Sequence, residues 1–437
     1  MKTIVAKFGG TSLADANQFR KVKEIIERDK GRRYIVVSAL GKRFSDDIKV
    51  TDLLIRCYEN AVNHRPVGEV LTEVRDRFYE IIRDLGLHFP IDEEMEIIRR
   101  NLQKKPELDY MASRGEYLNA QIMAEYLGFT FVDPAWSVCF FSDGQLDPVT
   151  TQRAMAAALH PLDRAVIAGF YGADADGRIH TLSRGGSDIS GSLVAKAVKA
   201  DLYENWTDVS GLKAADPRIV AEPRTVDYLS YRELRALSYM GASVLHTDAV
   251  LPASELSIPI NIRNTNAPGD SGTMIVRHFP SSMQKYPVVG VAGRPGMTVL
   301  QVEKVMVSDG AGFSAILLDL LKKRDLPFEQ CLTGIDTVTL IIRSDLLTSC
   351  KEELLSEIRE TLHPDYLGVF EHLSVIAVVG EKDPGSIANV KVLNSLARAG
   401  IEIDTINQGA GKLNLLIGVP EDRYEDAIQA IYGAIES

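Results

Sequence analysis

The sequence predicts an α/β protein. A large domain built on an open, mainly parallel sheet between helices is followed by two smaller α+β units that share one pattern. Three observations carry this prediction. Short apolar runs alternate with segments of helical periodicity from residue 4 onward. Glycine-rich turns close two of the apolar runs, at Gly9-Gly10 and at Gly185-Gly186. Beyond residue 296 a strand–helix–strand–strand pattern with a closing helix occurs twice, the mark of an internal repeat.

The elements follow in order. Ile4, Val5, Ala6 and Phe8 form a buried-looking strand. Ser12-Leu-Ala-Asp15 reads as a capping-box-like helix start, and Phe19, Val22, Ile25 and Ile26 recur at helical spacing. Tyr34–Ser38 is a second strand, and the short links make the crossover parallel and right-handed. Residues 51 to 127 read as mostly helical, with Leu53, Leu54, Cys57, Tyr58, Ala61 and Val62 on one face, and Arg114-Gly-Glu116 begins the last of these helices. Strands return at Phe129–Val132, Ala165–Phe170 and Leu202–Trp206, with a helix near 188–199. HFPSSMQKYP and the glycines of GVAGRPG break the pattern at 278–296, which places the domains at 1–285, 296–365 and 372–437. The helix of the first small unit presents Phe313, Ile316, Leu317, Leu320 and Leu321, and that of the second Ile387, Val390, Leu393 and Leu396.

Composition narrows the function. A chain of 437 residues exceeds one compact core. Apolar residues make up 45% and charged residues 25%, ordinary values for a globular protein. The formal charge of −11 argues against nucleic acid or an anionic membrane as the main partner. No apolar run approaches the roughly 20 residues needed to span a bilayer. The first glycine pair arrives too early for a signal-peptide core. Cys57, Cys139, Cys331 and Cys350 lie far apart without a CxxC, which fits a reducing cytoplasm and gives no zinc signature.

Three constellations carry chemistry. Lys7-Phe-Gly-Gly-Thr-Ser12 closes the first strand, and its glycines, the following helix start and the Lys7 charge together suit a phosphate. A tight strand–helix turn with a solvated lysine is the alternative. Neither a Walker loop nor a dinucleotide fingerprint is present here. Thr181-Leu-Ser-Arg-Gly-Gly-Ser-Asp188 is a second such turn, in which Arg184 can fork onto a carboxylate or phosphate and Ser187 can bind an anion. Asp188 suits an ammonium group or the Lys7 side chain, or is simply a helix-start charge. Thr207, Asp208 and Arg218 follow a third strand, where an open sheet places ligands. The bland reading of Asp216-Pro-Arg218 is an ordinary turn.

KFGGTS at 7–12, VSALGKR at 37–43, Thr51-Asp-Leu-Leu54, Arg114-Gly-Glu116, TLSRGGSD at 181–188, WTDVSG at 206–211 and ADPR at 215–218 occur in the order expected of aspartate kinases. The chain resembles that family over essentially its whole length, and the paired small units resemble its ACT domains. The resemblance implies the amino-acid kinase fold, two ferredoxin-like ACT units, and the monofunctional type without a dehydrogenase domain. It implies transfer from ATP to L-aspartate to give 4-phospho-L-aspartate, on the way to lysine, threonine and methionine. Lys7 would neutralise the transferring phosphoryl group and Asp188 would position Lys7. Ser38, Thr51, Glu116, Arg184, Gly185 and Ser187 would bind aspartate, with Glu116 on its ammonium and Arg184 on its α-carboxylate. Lys7, Gly9, Gly10, Thr207, Asp208, Lys213 and Arg218 would contact ATP. Mg²⁺ is expected with the ATP phosphates, and no protein metal ligand is named.

Two departures stand out. Relatives carry a lysine in a GAKVLHP segment where this chain has Ser243, and Lys213 is the candidate replacement. Gln408-Gly-Ala-Gly-Lys412 stands where relatives often read QGSSE. The effector is expected at the loops before the first helix of each small unit. There Ser308, Asp309, Gly312 and Gly385 are the candidate residues, with Asp336 also in the first small unit, and the acidity of Asp309 and Asp336 together with the tendency of the family makes lysine the first choice over threonine or methionine. ACT units generally pair, so a homodimer or homotetramer is expected. Two other readings are a glutamate or N-acetylglutamate kinase and a catalytically silent amino-acid sensor.

Overall fold

Strand β1 (Ile4–Phe8) is buried along its whole length. It lies between β2 (Arg32–Val37) and β7 (Leu202–Thr207), parallel to both. A strand covered on both faces reads as a continuous apolar run, so Lys7 within it stands out. The computed structural model describes residues 2–183, 185–242, 245, 247–279, 286–305, 312–380, 387–409 and 414–436. They divide into two compact units, the first comprising residues 1–212, 225–234 and 243–283 and the second 213–224, 235–242 and 284–437. Segments 213–224 and 235–242, inside the expected first domain, thus group with the second unit.

The first unit also contains β3 (Thr130–Val132), β4 (Ala165–Ala168), β5 (Tyr171–Ala173), β6 (Ile179–Thr181), β8 (Tyr228–Ser230), β9 (Ile260–Asn264) and β10 (Thr273–Val276). Its eight-stranded sheet has the order β3-β4-β2-β1-β7-β9-β10-β8. All neighbours run parallel except β9 and β10. Strands β5 and β6 form a separate hairpin. Four helices, Val50–Val62, Gly68–Leu85, Ile91–Lys104 and Leu108–Leu127, account for the long helical stretch. Leu53, Leu54, Cys57, Val74, Phe78, Met111 and Leu118 from them join Phe8, Phe19 and Trp206 in one core. Each large side chain buried this way contributes about 1.5–3 kcal/mol, which is why the helical spacing predicts these segments well.

Three local expectations are corrected. The cap of helix Ala16–Glu27 is Asp15, whose carboxylate accepts from Gln18 N at 2.9 Å. Ser12 lies in a tight turn, Gly10–Leu13, and its hydroxyl pairs with that of Thr265. Arg114-Gly-Glu116 sits inside helix Leu108–Leu127 instead of beginning it, because the helical pattern extends back to Leu108. Val62 is exposed because it is the last residue of its helix.

The second unit is one six-stranded antiparallel sheet. Its strands are β11 (Gly290–Glu303), β12 (Gln330–Thr333), β13 (Thr337–Arg343), β14 (Tyr366–Val379), β15 (Thr405–Gln408) and β16 (Asn414–Pro420), in the order β12-β13-β11-β14-β16-β15. The two central strands are shared. The far half of β11 and the near half of β14 serve the module with helices Phe313–Lys322 and Lys351–Leu362. The opposite halves serve the module with helices Ile387–Arg398 and Tyr424–Glu436. GVAGRPG is therefore strand and not linker. Gly293 is needed there because a Cβ would come within 2.7 Å of the Tyr424 ring, whose hydroxyl donates to Gly293 O at 2.8 Å. The register shifts where the modules meet, near Gly296 and His372, both with positive φ. Ile316 and Val390 point outward, and Leu317 and Val392 fill the corresponding core positions. No described helix is long and apolar enough to cross a membrane.

Candidate active site

The carboxyl ends of β1 and β2 set the site. Gly9 N donates to Trp206 O at 2.9 Å, and Ser38 N to Phe8 O at 3.1 Å, so both strands turn away at fixed points. The two turns then touch backbone to backbone. Gly41 N donates to Gly10 O at 2.9 Å. A Cβ on Gly10 would come within 2.9 Å of Ala39 O, and one on Gly41 would overlap the Gly10 carbonyl carbon. Only glycines permit this approach.

These turns open into a cavity of about 430 Å³. It collects Lys7, Gly9, Gly10, Ser38, Thr51, Glu116, Gly185, Ser187, Asp188 and Thr207, ten of the residues that sequence reasoning singled out. Lys7 is buried and its ammonium pairs with Asp188 Oδ1. Asn205 Nδ2 donates to the same oxygen at 2.9 Å, and the buried Tyr203 hydroxyl donates to Asp188 O at 3.0 Å. Asp188 stands in the first turn of helix Gly186–Ala197, whose N-cap Gly185 has φ +77°. That left-handed turn points the helix start and Ser187 into the cavity.

Glu116 supplies the opposite chemistry. It is buried, and its Oε2 has no hydrogen-bond partner. Burial pushes its carboxyl up to about 8, and the Ala39 N–H, Arg114 and Lys7 offset this only in part. An ammonium group placed beside it would satisfy the orphaned oxygen. Arg114, two residues away, does not line the cavity. Its guanidinium lies over Tyr110, Tyr117 and Tyr171 at 4.5, 4.5 and 5.2 Å, a packing role.

The remaining candidates fall elsewhere. Asp208 is exposed and accepts from Thr207 Oγ1 at 3.2 Å. Lys213 and Arg218 belong to the second unit, where Arg218 forks onto Asp216 with contacts of 2.6 and 3.0 Å. Gly312 caps helix Phe313–Lys322, and Asp336 lies between β12 and β13, its carbonyl accepting from Lys304 N at 2.9 Å. Arg184, Ser243, Ser308, Asp309 and Gly385 lie outside the described residues. Among the described residues no group of three or more His, Cys, Asp or Glu side chains is placed to hold a metal ion.

Sequence reasoning missed several residues. Asn205 faces Lys7 only because β1 and β7 pair in the register Lys7↔Asn205. Asn119 donates to Ser38 O at 2.6 Å from the helix that carries Glu116. Phe170 lines the cavity with φ +80°, held by Ser190 Oγ at 2.9 Å on its N–H and by Leu182 N at 2.7 Å on its carbonyl. Such a backbone costs about 1–3 kcal/mol and persists only where its surroundings impose it. Lys49 lines the cavity too.

Comparison with known proteins identifies the family. The model of the amino acid kinase family matches residues 2–264, and that of the ACT domain matches residues 376–435. Aspartokinase 3 of Bacillus subtilis is 35% identical over 98% of this chain and 97% of its own. The crystal structure of Clostridium acetobutylicum aspartate kinase superposes with a TM-score of 0.88 at 39% identity, covering 100% of both chains. The lysine-sensitive aspartokinase 3 of Escherichia coli is 28% identical over 98% of each chain. Structures of E. coli aspartokinase III, both at 25% identity and covering 100% of both chains, match with TM-scores of 0.79 for its complex with aspartate and ADP and 0.75 for its complex with lysine and aspartate. The chain belongs to the amino acid kinase family and, within it, to the aspartokinases, phosphotransferases with a carboxyl group as acceptor.

Proposed function

We propose that the cavity around Lys7 transfers the γ-phosphoryl group of ATP to the side-chain carboxylate of L-aspartate, and that lysine inhibits the transfer through the second unit. The observation that carries the first part is the joint presence of the Lys7–Asp188 pair and the orphaned Glu116 carboxyl in one cavity. A carboxylate oxygen of aspartate attacks the γ-phosphorus, the bond to the ADP oxygen breaks, and the electron pair leaves with ADP. The nucleophile is already ionised, so no general base is needed. Positioning and charge neutralisation suffice.

In this reading Lys7 meets the charge that builds on the transferring group, and Asp188 with Asn205 holds Lys7 in place. Gly9, Gly10 and Thr207 take the nucleotide phosphates. Ser38, Thr51, Ser187 and Glu116 take aspartate, Glu116 through its ammonium. Mg²⁺ arrives with the nucleotide as part of that substrate. Four free thiols, one of them buried, fit a reducing cytoplasm.

The lysine assignment is supported by the lysine-sensitive E. coli relative and by the lysine complex of that enzyme. Asp336 is the described acidic candidate for the effector ammonium. Pairing of copies through the second unit is supported by Tyr366, Phe370 and Ile406, exposed apolar residues of its sheet. Inhibition requires lysine to bind an inactive state more tightly than the active one.

A coupled ADP-release assay tests the whole reading. Turnover is expected with aspartate and not with glutamate or N-acetylglutamate, and millimolar lysine is expected to suppress it more than threonine or methionine. No ADP release with any of the three acceptors would favour a silent sensor. Turnover unaffected by lysine would remove the effector assignment alone.

A further inference from the structure

The cavity holds a second lysine, Lys49, which no part of the reading above uses. It is exposed and stands at the N-cap of helix Val50–Val62, with an extended backbone of φ −66° and ψ 145°. Of the acidic residues lining the cavity, Asp188 is taken by Lys7 and Glu116 is buried. Asp52, also lining the cavity, stands in the first turn of the same helix, next to Thr51.

The backbone on both sides of Lys49 is pinned. Arg77, buried on helix Gly68–Leu85, donates to Gly41 O at 2.7 Å and to Ile48 O at 3.0 Å, and pairs with the buried Asp47 at 3.2 Å. Asp47 also accepts from the Arg43 N–H and its Nε, both at 2.9 Å. On the other side Val50 N donates to Leu40 O at 3.2 Å, and Lys49 O accepts from Leu53 N at 3.1 Å. This buckle closes the 41–48 loop, and it does so with a buried guanidinium, a costly group to place for an idle loop. A flexible lysine stem gains precision when its root is held this way.

The topology places Lys49 on one side of the cavity. Thr207 ends β7 on one side of β1, and Ser38 and Lys49 follow β2 on the other side. If phosphates enter at the β1 turn and Thr207, Lys49 stands with Ser38 and Thr51 on the acceptor side. Aspartate brings one ammonium and two carboxylates. Glu116 suits the ammonium, which leaves the carboxylates to be met by cations. We infer that Lys49 is a further substrate-binding residue, a cation that pairs with a carboxylate of the acceptor amino acid. The inference rests on the Lys7 cavity being the active site.

Steady-state kinetics on the full chain test it, with Lys49→Met, Lys49→Arg and, as the control for the cavity itself, Lys7→Ala. Loss of a charge-assisted contact should raise KM for aspartate roughly tenfold to hundredfold in Lys49→Met. KM for ATP should stay within about twofold, and Lys49→Arg should recover most of the loss. The rise of the aspartate KM with added salt should flatten in Lys49→Met. An unchanged aspartate KM in Lys49→Met, or a rise confined to ATP, would overturn the assignment. Near-normal turnover in Lys7→Ala would instead show that the active site lies elsewhere, which is a separate failure.

Discussion

The ammonium of Lys7 and the carboxylate of Asp188 form an ion pair, and the oxygen that binds the ammonium also accepts from Asn205. Lys7 lies within a central strand and Asp188 in the first turn of a helix. The pair keeps a buried cation compensated.

Lys7→Ala should therefore lower kcat by ~10²–10³, the usual loss when a charge-stabilising group is removed. Asp188→Asn, which keeps the shape and loses the charge, should also lower kcat, and it should lower the melting temperature because Lys7 is left as a buried cation without its counter-charge. Rates from the coupled assay, together with a melting curve for each variant, check this. A folded Lys7→Ala protein at normal rate would remove Lys7 from the mechanism.

Glu116 ties the site to pH. Its carboxyl is pushed from 4.5 up to about 8 by burial, so between those values the folded chain holds a proton that the unfolded chain has released. The unfolded state then binds fewer protons, and stability falls as pH rises through this window. Glu116→Gln should flatten that fall and gain on the parent above pH about 8, read as melting temperatures without ligands. An aspartate ammonium prefers the ionised carboxylate, so the parent KM for aspartate should decrease as pH rises toward about 8. That decrease should be absent in Glu116→Gln.

Gly41→Ala tests the backbone contact between the two turns. The added methyl group has no room against Gly10, so one turn must move. A displacement of about 1 Å in a positioning element can cost about 10²-fold in rate. Kinetics should show this loss with secondary structure intact by circular dichroism. Parent-like kcat/KM would mean that the contact is not needed for catalysis.

Arg32 and Glu204 form a buried bidentate pair, at 2.7 and 3.0 Å, and Trp206 Nε1 donates to the same carboxylate at 2.9 Å. Arg32→Met removes the bidentate cation from a buried carboxylate and leaves it only Arg263, at 3.8 Å. Such a change should cost about 3–5 kcal/mol, measured by denaturant unfolding. The double variant Arg32→Met with Glu204→Gln should recover part of the loss, because the uncompensated charge is gone.

The local sequence by itself determined the central strands β1, β2, β4 and β7, the buried faces of the helices and the chemistry of the turns. Runs such as Ile4–Phe8 must be covered on both faces, and helical spacing at Leu53, Leu54 and Cys57 admits one buried face. Glycines beside Lys7 and Asp188 mark where backbone and anion can approach. Period and turn chemistry are properties of neighbouring residues, so a linear reading reaches them. It misplaced element ends, as at Ser12 and Glu116, because caps and helix starts depend on what the ends touch.

Only the tertiary structure decided which residues meet. Asn205 reaches Asp188, and Arg77 reaches Gly41 and Ile48, because strand order and helix packing bring distant segments together. The raised carboxyl of Glu116 follows from burial, which no residue carries in its own identity. The shared strands β11 and β14 were likewise beyond a repeat-based reading. Each small module completes its sheet with half of a strand that also serves the other, and such pairing is a long-range choice made by hydrogen bonding across the sheet.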